Sequence, residues 1–331
     1  MRIEHPWVLH FWFFGLGACV GSFLNVCILR IPAGLSIVTP GSHCICGKPI
    51  RWFDNIPIFS WFILRGRARC CGQKFSIRYS LVEAVTAGVF VYLAAVLPLS
   101  VALPGMIFFS LLLMGALIDI DHMILPDITT VGGMFVGVIL SCLIPQLHGL
   151  QPTGFALADM LRGGGMAVIG VAAGTTIIFW TRELGELALK REAMGYGDIL
   201  LMGCIGAFCG WQGAIFAVIG GAFIGLIFLV PMMLWARMTG KTPAASAAPA
   251  NESAVAKPAN TSIPTASGAK STEGEGIEAA PSAVGFGVEV PFGHWLALGA
   301  FLYFAIPSLH QWFNDYLSNM VAMVRNPLGG V

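Results

Sequence analysis

Charge is scarce in this chain. Asp, Glu, Lys and Arg together make up 11% of the 331 residues, while Ala, Val, Ile, Leu, Met, Phe, Trp, Tyr and Cys make up 56%. A soluble domain carries about a quarter of its residues as charges, so that class is excluded and a polytopic membrane protein is expected. The few charges nearly cancel, at a formal +1. That balance carries no information about nucleic acid, and no nucleic-acid partner is expected. A removable leader is also missing from the reading: no small-residue cleavage site follows the first apolar run, which is therefore read as a retained helix.

What is abundant is apolar sequence in runs. Eight are read as spans, at about 8–29, 81–98, 101–119, 128–146, 162–181, 198–210, 213–236 and 292–314, against the roughly 17–25 residues that cross a bilayer. The sixth is short. The expected fold is therefore all-α, with about eight transmembrane helices. Basic residues supply the orientation. Fifteen of the 18 Lys and Arg residues fall in 30–80, 182–197 and 237–290, which lie on one side of an eight-span chain, and the positive-inside rule makes that side cytoplasmic. Glycines four apart at Gly17/Gly21, Gly133/Gly137, Gly170/Gly174 and Gly221/Gly225 suit close helix packing in lipid.

Against this background a carboxylate inside or at the edge of an apolar run is costly, and each one is a functional candidate. Asp198 follows Met194-Gly195-Tyr196-Gly197 and opens the run from Ile199, while Asp119 closes another run and is followed by Asp121, His122, Pro126 and Asp127. Both sit at the cytoplasmic ends of their predicted helices. Structural readings compete for several of these residues. Asp198 could N-cap its helix, Asp127 is well placed to cap span four, and Ser80-Leu81-Val82-Glu83 has the spacing of a capping box with Ser80 at N-cap and Glu83 at N3. Asn25, inside the first run, needs a partner across the bundle.

The one sizeable polar piece, about 30–80, is too poor in aliphatic residues to build a core of its own, and small units of this kind need a staple. Cys44, Cys46, Cys70 and Cys71 are the candidates. In a reducing cytoplasm a metal, zinc first, precedes disulfides, although Cys-Ile-Cys and Cys-Cys are not the usual CxxC pairs, and unliganded thiols stay open as the alternative. From Thr239 to about Gly285 the chain is rich in Ala, Pro, Ser, Thr and Gly and is read as a disordered linker. The sequons at Asn251 and Asn260 lie within it. The domain reading is thus a first transmembrane helix at 1–29, a cytoplasmic cysteine loop at 30–80, a transmembrane core at 81–236, a linker at 237–290, and a last helix with its tail at 291–331.

These blocks together resemble the type IV prepilin leader peptidases, bifunctional membrane aspartic proteases with N-methyltransferase activity. The resemblance rests on Gly21-Ser22-Phe23-Leu24-Asn25-Val26, Trp52-Phe53-Asp54-Asn55-Ile56-Pro57, Leu64-Arg65-Gly66-Arg67, Ser76-Ile77-Arg78-Tyr79 with Leu81-Val82-Glu83, Ile118-Asp119 through Leu125-Pro126-Asp127, and Gly195-Tyr196-Gly197-Asp198. It implies that the catalytic pair is Asp119 and Asp198, that the metal-type cysteines are Cys44, Cys46, Cys70 and Cys71, and that the 81–236 core is the peptidase. It implies a methyltransferase role for the 30–80 loop, S-adenosyl-L-methionine as methyl donor, prepilins or type II secretion pseudopilins as partners, and the bacterial inner membrane as location. No motif in the chain shows the methyl-donor site. The sequence departs from the family pattern in its cysteine spacing, with Ala68 where a cysteine is usual, in Ser80, in Leu200, and in the 239–285 insertion.

The mechanism this implies is metal-free: two carboxylates share a proton, one activating water and the other protonating the scissile carbonyl. A proton- or ion-coupled transporter is the rival from another class, because intramembrane carboxylates also carry ions. It would require an internal repeat of spans, and none is evident.

Overall fold

The computed structural model describes residues 6–44, 46–190, 194–239 and 292–325; the expected linker and both sequons fall outside them. The described residues form helices and contain no strand: α1 Pro6–Arg30, α2 Phe59–Leu64, α3 Arg78–Val96, α4 Leu99–His122, α5 Val131–Leu143, α6 Ala156–Leu189, α7 Tyr196–Thr239, α8 Gly293–Ala305 and α9 Pro307–Arg325. The chain is an all-α polytopic membrane protein with its cysteine cluster in the loop between α1 and α3. One compact unit comprises Met1–Pro231 with Pro291–Val331, and a second comprises Met232–Val290. The first holds every feature discussed below.

Each of the eight apolar runs is helical, but eight full spans are not found. Among the described residues five helices are long and apolar enough to cross a membrane, or six if α8 and α9, bent by 96° at their junction, count as one. Three local causes account for the difference. Runs six and seven form one element, α7, interrupted at Gly210, whose φ of 68° and ψ of −177° break the helix without a loop. The 13-residue helices α5 and α8 rise only about 20 Å at 1.5 Å per residue, short of a hydrocarbon core of about 30 Å. Pro307 follows α8, and the chain turns there into an amphipathic last helix.

The interruption at Gly210 is satisfied by side chains. Ser141 donates its hydroxyl to the carbonyl of Ala207 at 3.1 Å, one turn before the break, and His148 Nε2 lies 2.9 Å from the same hydroxyl oxygen. A broken helix in an apolar setting needs such partners for its freed backbone groups.

Large side chains on the outside are apolar, among them Phe11, Trp12, Phe135 and Phe223, as expected of a surface that meets lipid. With no hydrophobic drive between helices in lipid, close packing takes over. A Cβ at Gly21 would lie 2.7 Å from Glu83 Cα, and one at Gly17 would lie 2.7 Å from Ala87 Cα, so α1 and α3 touch backbone to backbone there. Gly170 and Gly206 make the same kind of contact between α6 and α7. The interior is aromatic where α4, α7 and α8 meet: Phe108 stacks on Phe208 at 4.7 Å and tilts against Phe304 at 5.5 Å.

Candidate active site

Asp119 lies in the last turn of α4. That helix ends on Met123, whose left-handed φ of 54° lets its N–H bond the Asp119 carbonyl at 2.8 Å, and the chain then runs outward through Leu125 and Pro126. Asp198 lies in the first turn of α7, which begins at Tyr196. Asp198 is therefore inside its helix, and the N-cap reading does not hold. The preceding glycines differ. Gly195 has open space around it, whereas a Cβ at Gly197 would lie 3.0 Å from Leu125 Cβ, so the start of α7 closes against the segment leaving α4. That contact brings the two carboxylates together.

Both side chains are buried, at 7% exposure each. A point beside Gly293 of α8 lies 2.9 Å from Asp198 Oδ1 and 3.1 Å from Asp119 Oδ2. These distances bound the separation of the two oxygens at roughly 6 Å, within which ionisable groups perturb one another. Asp119 Oδ2 is buried and has no hydrogen-bond partner among the described residues. A buried, unsatisfied carboxylate oxygen facing a second carboxylate is costly for a purely structural role.

The four cysteines also converge. The sulfurs of Cys44, Cys46, Cys70 and Cys71 lie within 4.8 Å of one another, with Cys44–Cys71 at 3.5 Å and Cys46–Cys70 at 3.4 Å. Four sulfurs on a tetrahedral zinc at about 2.3 Å stand about 3.8 Å apart, so the set fits such an ion. Adjacent Cys70 and Cys71 can face one point because the chain turns immediately after them. Gly72 has φ 71° and bonds back to the Ala68 carbonyl at 2.8 Å, while Gly47 has φ 80° and bonds back to Cys44 at 2.8 Å. The backbone N–H of Cys46 and the thiols of Cys70 and Cys71 draw the Cys44 thiol down to about 7. Hydrogen bonding to Cys44 and Cys46 pushes Cys70 up to about 12. A thiolate held among thiol donors is a ready seat for a cation.

Residues 16–97 match the bacterial peptidase A24 N-terminal domain and residues 106–230 match the type IV leader peptidase family. A prepilin leader peptidase/N-methyltransferase of Klebsiella pneumoniae is 37% identical over 219 residues, covering 63% of this chain and 89% of that protein. The chain belongs to the type IV leader peptidase family. A Myxococcus xanthus relative described by the same words is 39% identical over 223 residues, covering 66% of this chain and 62% of that protein. A type 4 prepilin-like proteins leader peptide-processing enzyme of Escherichia coli is 36% identical over 214 residues, 59% of this chain and 74% of its own. No solved structure matches.

Among the other residues of this leader peptidase family member, Glu83 and Asp127 fall differently from the sequence reading, and Asn25 falls as expected. Glu83 is not part of a capping box, because α3 starts at Arg78, ahead of Ser80. Its carboxylate is buried and accepts the Ile58 N–H at 2.6 Å. Ile58 has φ 66°, an unusual conformation for a β-branched residue that costs on the order of 1–3 kcal/mol, so Glu83 ties a strained turn of the cysteine loop to α3. Asp127 does not cap α5, which begins at Val131; it is exposed. Asp121 pairs with Arg78 through two contacts of 2.8 and 2.6 Å, joining the end of α4 to the start of α3. Asn25 bonds across the bundle, donating Nδ2 to the Tyr79 carbonyl at 2.9 Å. Sequence reasoning missed Gly293, although a glycine opening an apolar run just after Pro291 was a usable signal.

Between the cysteine loop and helices α1 and α3 lies a cavity of about 830 Å³ whose lining includes Lys48, Asp54, Asn55, Trp61, Phe75 and Tyr79. Trp61 is fixed there by donating its indole N–H to the Phe75 carbonyl at 3.3 Å.

Proposed function

We propose that this protein removes the leader peptides of type IV prepilins or type II secretion pseudopilins, using Asp119 and Asp198 as an aspartic dyad, and then N-methylates the new N-terminus. The observation that carries the peptidase reading is the convergence of two buried carboxylates on one point, in a chain of the leader peptidase family. One carboxylate takes a proton from water as the oxygen attacks the scissile carbonyl, and the other gives its proton to the carbonyl oxygen. The tetrahedral intermediate then collapses, with proton return to the leaving amine. The basic residues of the 30–80 and 182–197 segments, which adjoin the Asp119 and Asp198 ends of their helices, support a site at the cytoplasmic face of the inner membrane, where a soluble leader joins an apolar helix. The core at 81–236 with α8 serves cleavage, and the 30–80 loop serves methylation.

The large cavity fits the methyl donor, S-adenosyl-L-methionine. Its volume lies within the usual range for small-molecule sites, about 300–1,000 Å³. Trp61, Phe75 and Tyr79 offer faces for the adenine and Lys48 a partner for the carboxylate. When bound, this cofactor supplies an electrophilic methyl group to the amine freed by cleavage. The Arg78–Asp121 pair joins the helix that carries Tyr79 to the helix that carries Asp119, which supports neighbouring sites for cleavage and methylation. The four cysteines hold zinc and fold the loop that walls the cavity. Trp61→Ala should weaken binding of radiolabelled S-adenosyl-L-methionine at least tenfold while leaving cleavage within about threefold, as expected for the loss of a stacking face worth about 1–3 kcal/mol. Unchanged binding moves the cofactor elsewhere.

The deciding experiment is mass spectrometry of the N-terminus of a co-expressed prepilin, which reads cleavage and methylation in one spectrum. An unprocessed leader in the presence of well-expressed protein refutes the assignment. Asp121→Asn and Asp127→Asn should each retain most cleavage in that assay. Asp127 is exposed, and the partly exposed Arg78–Asp121 pair is worth about 1 kcal/mol or less.

A further inference from the structure

The region matching the peptidase family ends at residue 230, yet the two carboxylates meet beside a residue far beyond it. Gly293 is the first residue of α8 and is buried. A Cβ there would stand 2.9 Å from Asp198 Oδ1, 3.1 Å from Asp119 Oδ2 and 3.4 Å from Leu125 Cδ1. The first two separations are closer than carbon and oxygen settle without one of them moving. Its φ lies outside the left-handed region, so the backbone would accept a side chain at this position. The requirement for glycine comes from the carboxylates opposite.

Two further features mark this point as more than packing. Asp119 Oδ2, which faces it, is buried without a partner among the described residues. The N-terminal end of a helix also carries unsatisfied N–H groups and partial positive charge, and α8 sets that end against two carboxylates, one of which is itself in the first turn of α7. The absence of a side chain thus lets the positive end of α8 close directly on both carboxylates.

We propose that Gly293 is a positioning residue of the peptidase site: the absence of a side chain there lets the first turn of α8 close on both carboxylates and hold their oxygens at the spacing that cleavage needs. The peptidase is then complete only when α8 returns to the bundle. This rests on the peptidase reading given above.

The test uses the full-length chain in membranes with a prepilin substrate. Gly293→Ala should lower kcat for cleavage about 100-fold, the loss expected when reacting groups are displaced by about 1 Å. KM should stay within about threefold, and methylation of an already cleaved substrate and the thermal unfolding midpoint should be unchanged. Cleavage within threefold of the parent overturns the proposal. Gly299→Ala is the control, because a Cβ there meets the Ala217 carbonyl at 2.8 Å and the Gly221 nitrogen at 2.9 Å, equally tight but on the side of α8 packed against α7. It should lower the unfolding midpoint while leaving kcat per folded enzyme nearly unchanged. An equal fall in kcat for both variants means that only the placement of α8 matters, and overturns the specific role of Gly293. If Gly293→Ala does not accumulate, crosslinking decides. A substrate with a benzophenone side chain next to the scissile bond, bound to Asp198→Asn protein, should attach within residues 292–295, and attachment confined to other helices overturns the proposal. Cleavage by the parent chain distinguishes the two hypotheses. If the parent fails to cleave, the peptidase reading falls, whereas a parent that cleaves and an equally active Gly293→Ala remove only this inference.

Discussion

Asp119→Asn and Asp198→Asn will each lower leader cleavage by about 1,000-fold or more, close to 4 kcal/mol of transition-state stabilisation. Asn has the size of Asp but neither takes the proton of the attacking water nor returns one to the carbonyl oxygen, so either change removes half of a paired proton transfer. Because the two groups act as a unit, the double variant should be scarcely worse than either single one. Neither substitution removes volume, and the helices that hold these residues are packed by other side chains. The protein should therefore reach the membrane at normal levels, and methylation of a pre-cleaved substrate should persist. N-terminal mass spectrometry with initial rates of cleavage reads both expectations. A single Asn variant with full activity would remove the dyad from the mechanism.

The second large effect is expected at the cysteines. Cys44→Ser combined with Cys71→Ser should abolish bound metal and lower methyl transfer at least 100-fold, with cleavage staying within about threefold. The loop has few means of holding itself together. Its turns are short, and its hydrophobic residues Trp52, Phe59 and Phe62 are exposed. Zinc bound by such ligands contributes about 10–16 kcal/mol in small metal-folded units, far more than these contacts supply. The carboxylates are positioned instead by α4, α7 and the start of α8, none of which carries a ligand cysteine. Elemental analysis of the purified chain should give one zinc. Less than about half an equivalent, with the loop equally protease-resistant in chelator, would remove the metal from the account.

The sequence by itself determined a good deal about this protein. Charge is so scarce that each polar residue in an apolar run stands out, which is how Asp119, Asp198 and Asn25 were legible. Their cost depends on the neighbours along the chain, and a single sequence contains those neighbours. The grouping of Cys44, Cys46, Cys70 and Cys71 was legible for the same reason, as thiols concentrated in one coreless loop. Their fit to a single ion was not, because it depends on the positive-φ turns at Gly47 and Gly72, which reverse the chain just after each pair. Glu83 was misread because a local capping pattern competed with a partner 25 residues away, the Ile58 N–H, and the distant bond won. The exact count of eight spans was not confirmed, because hydropathy reports apolar length and does not register a helix that breaks at Gly210. Gly293 is the extreme case. It is one glycine among 41, and its meaning comes entirely from two carboxylates on other helices. Only the tertiary structure decided which residues lie opposite one another, because close approach is a property of two surfaces and a linear sequence presents one at a time.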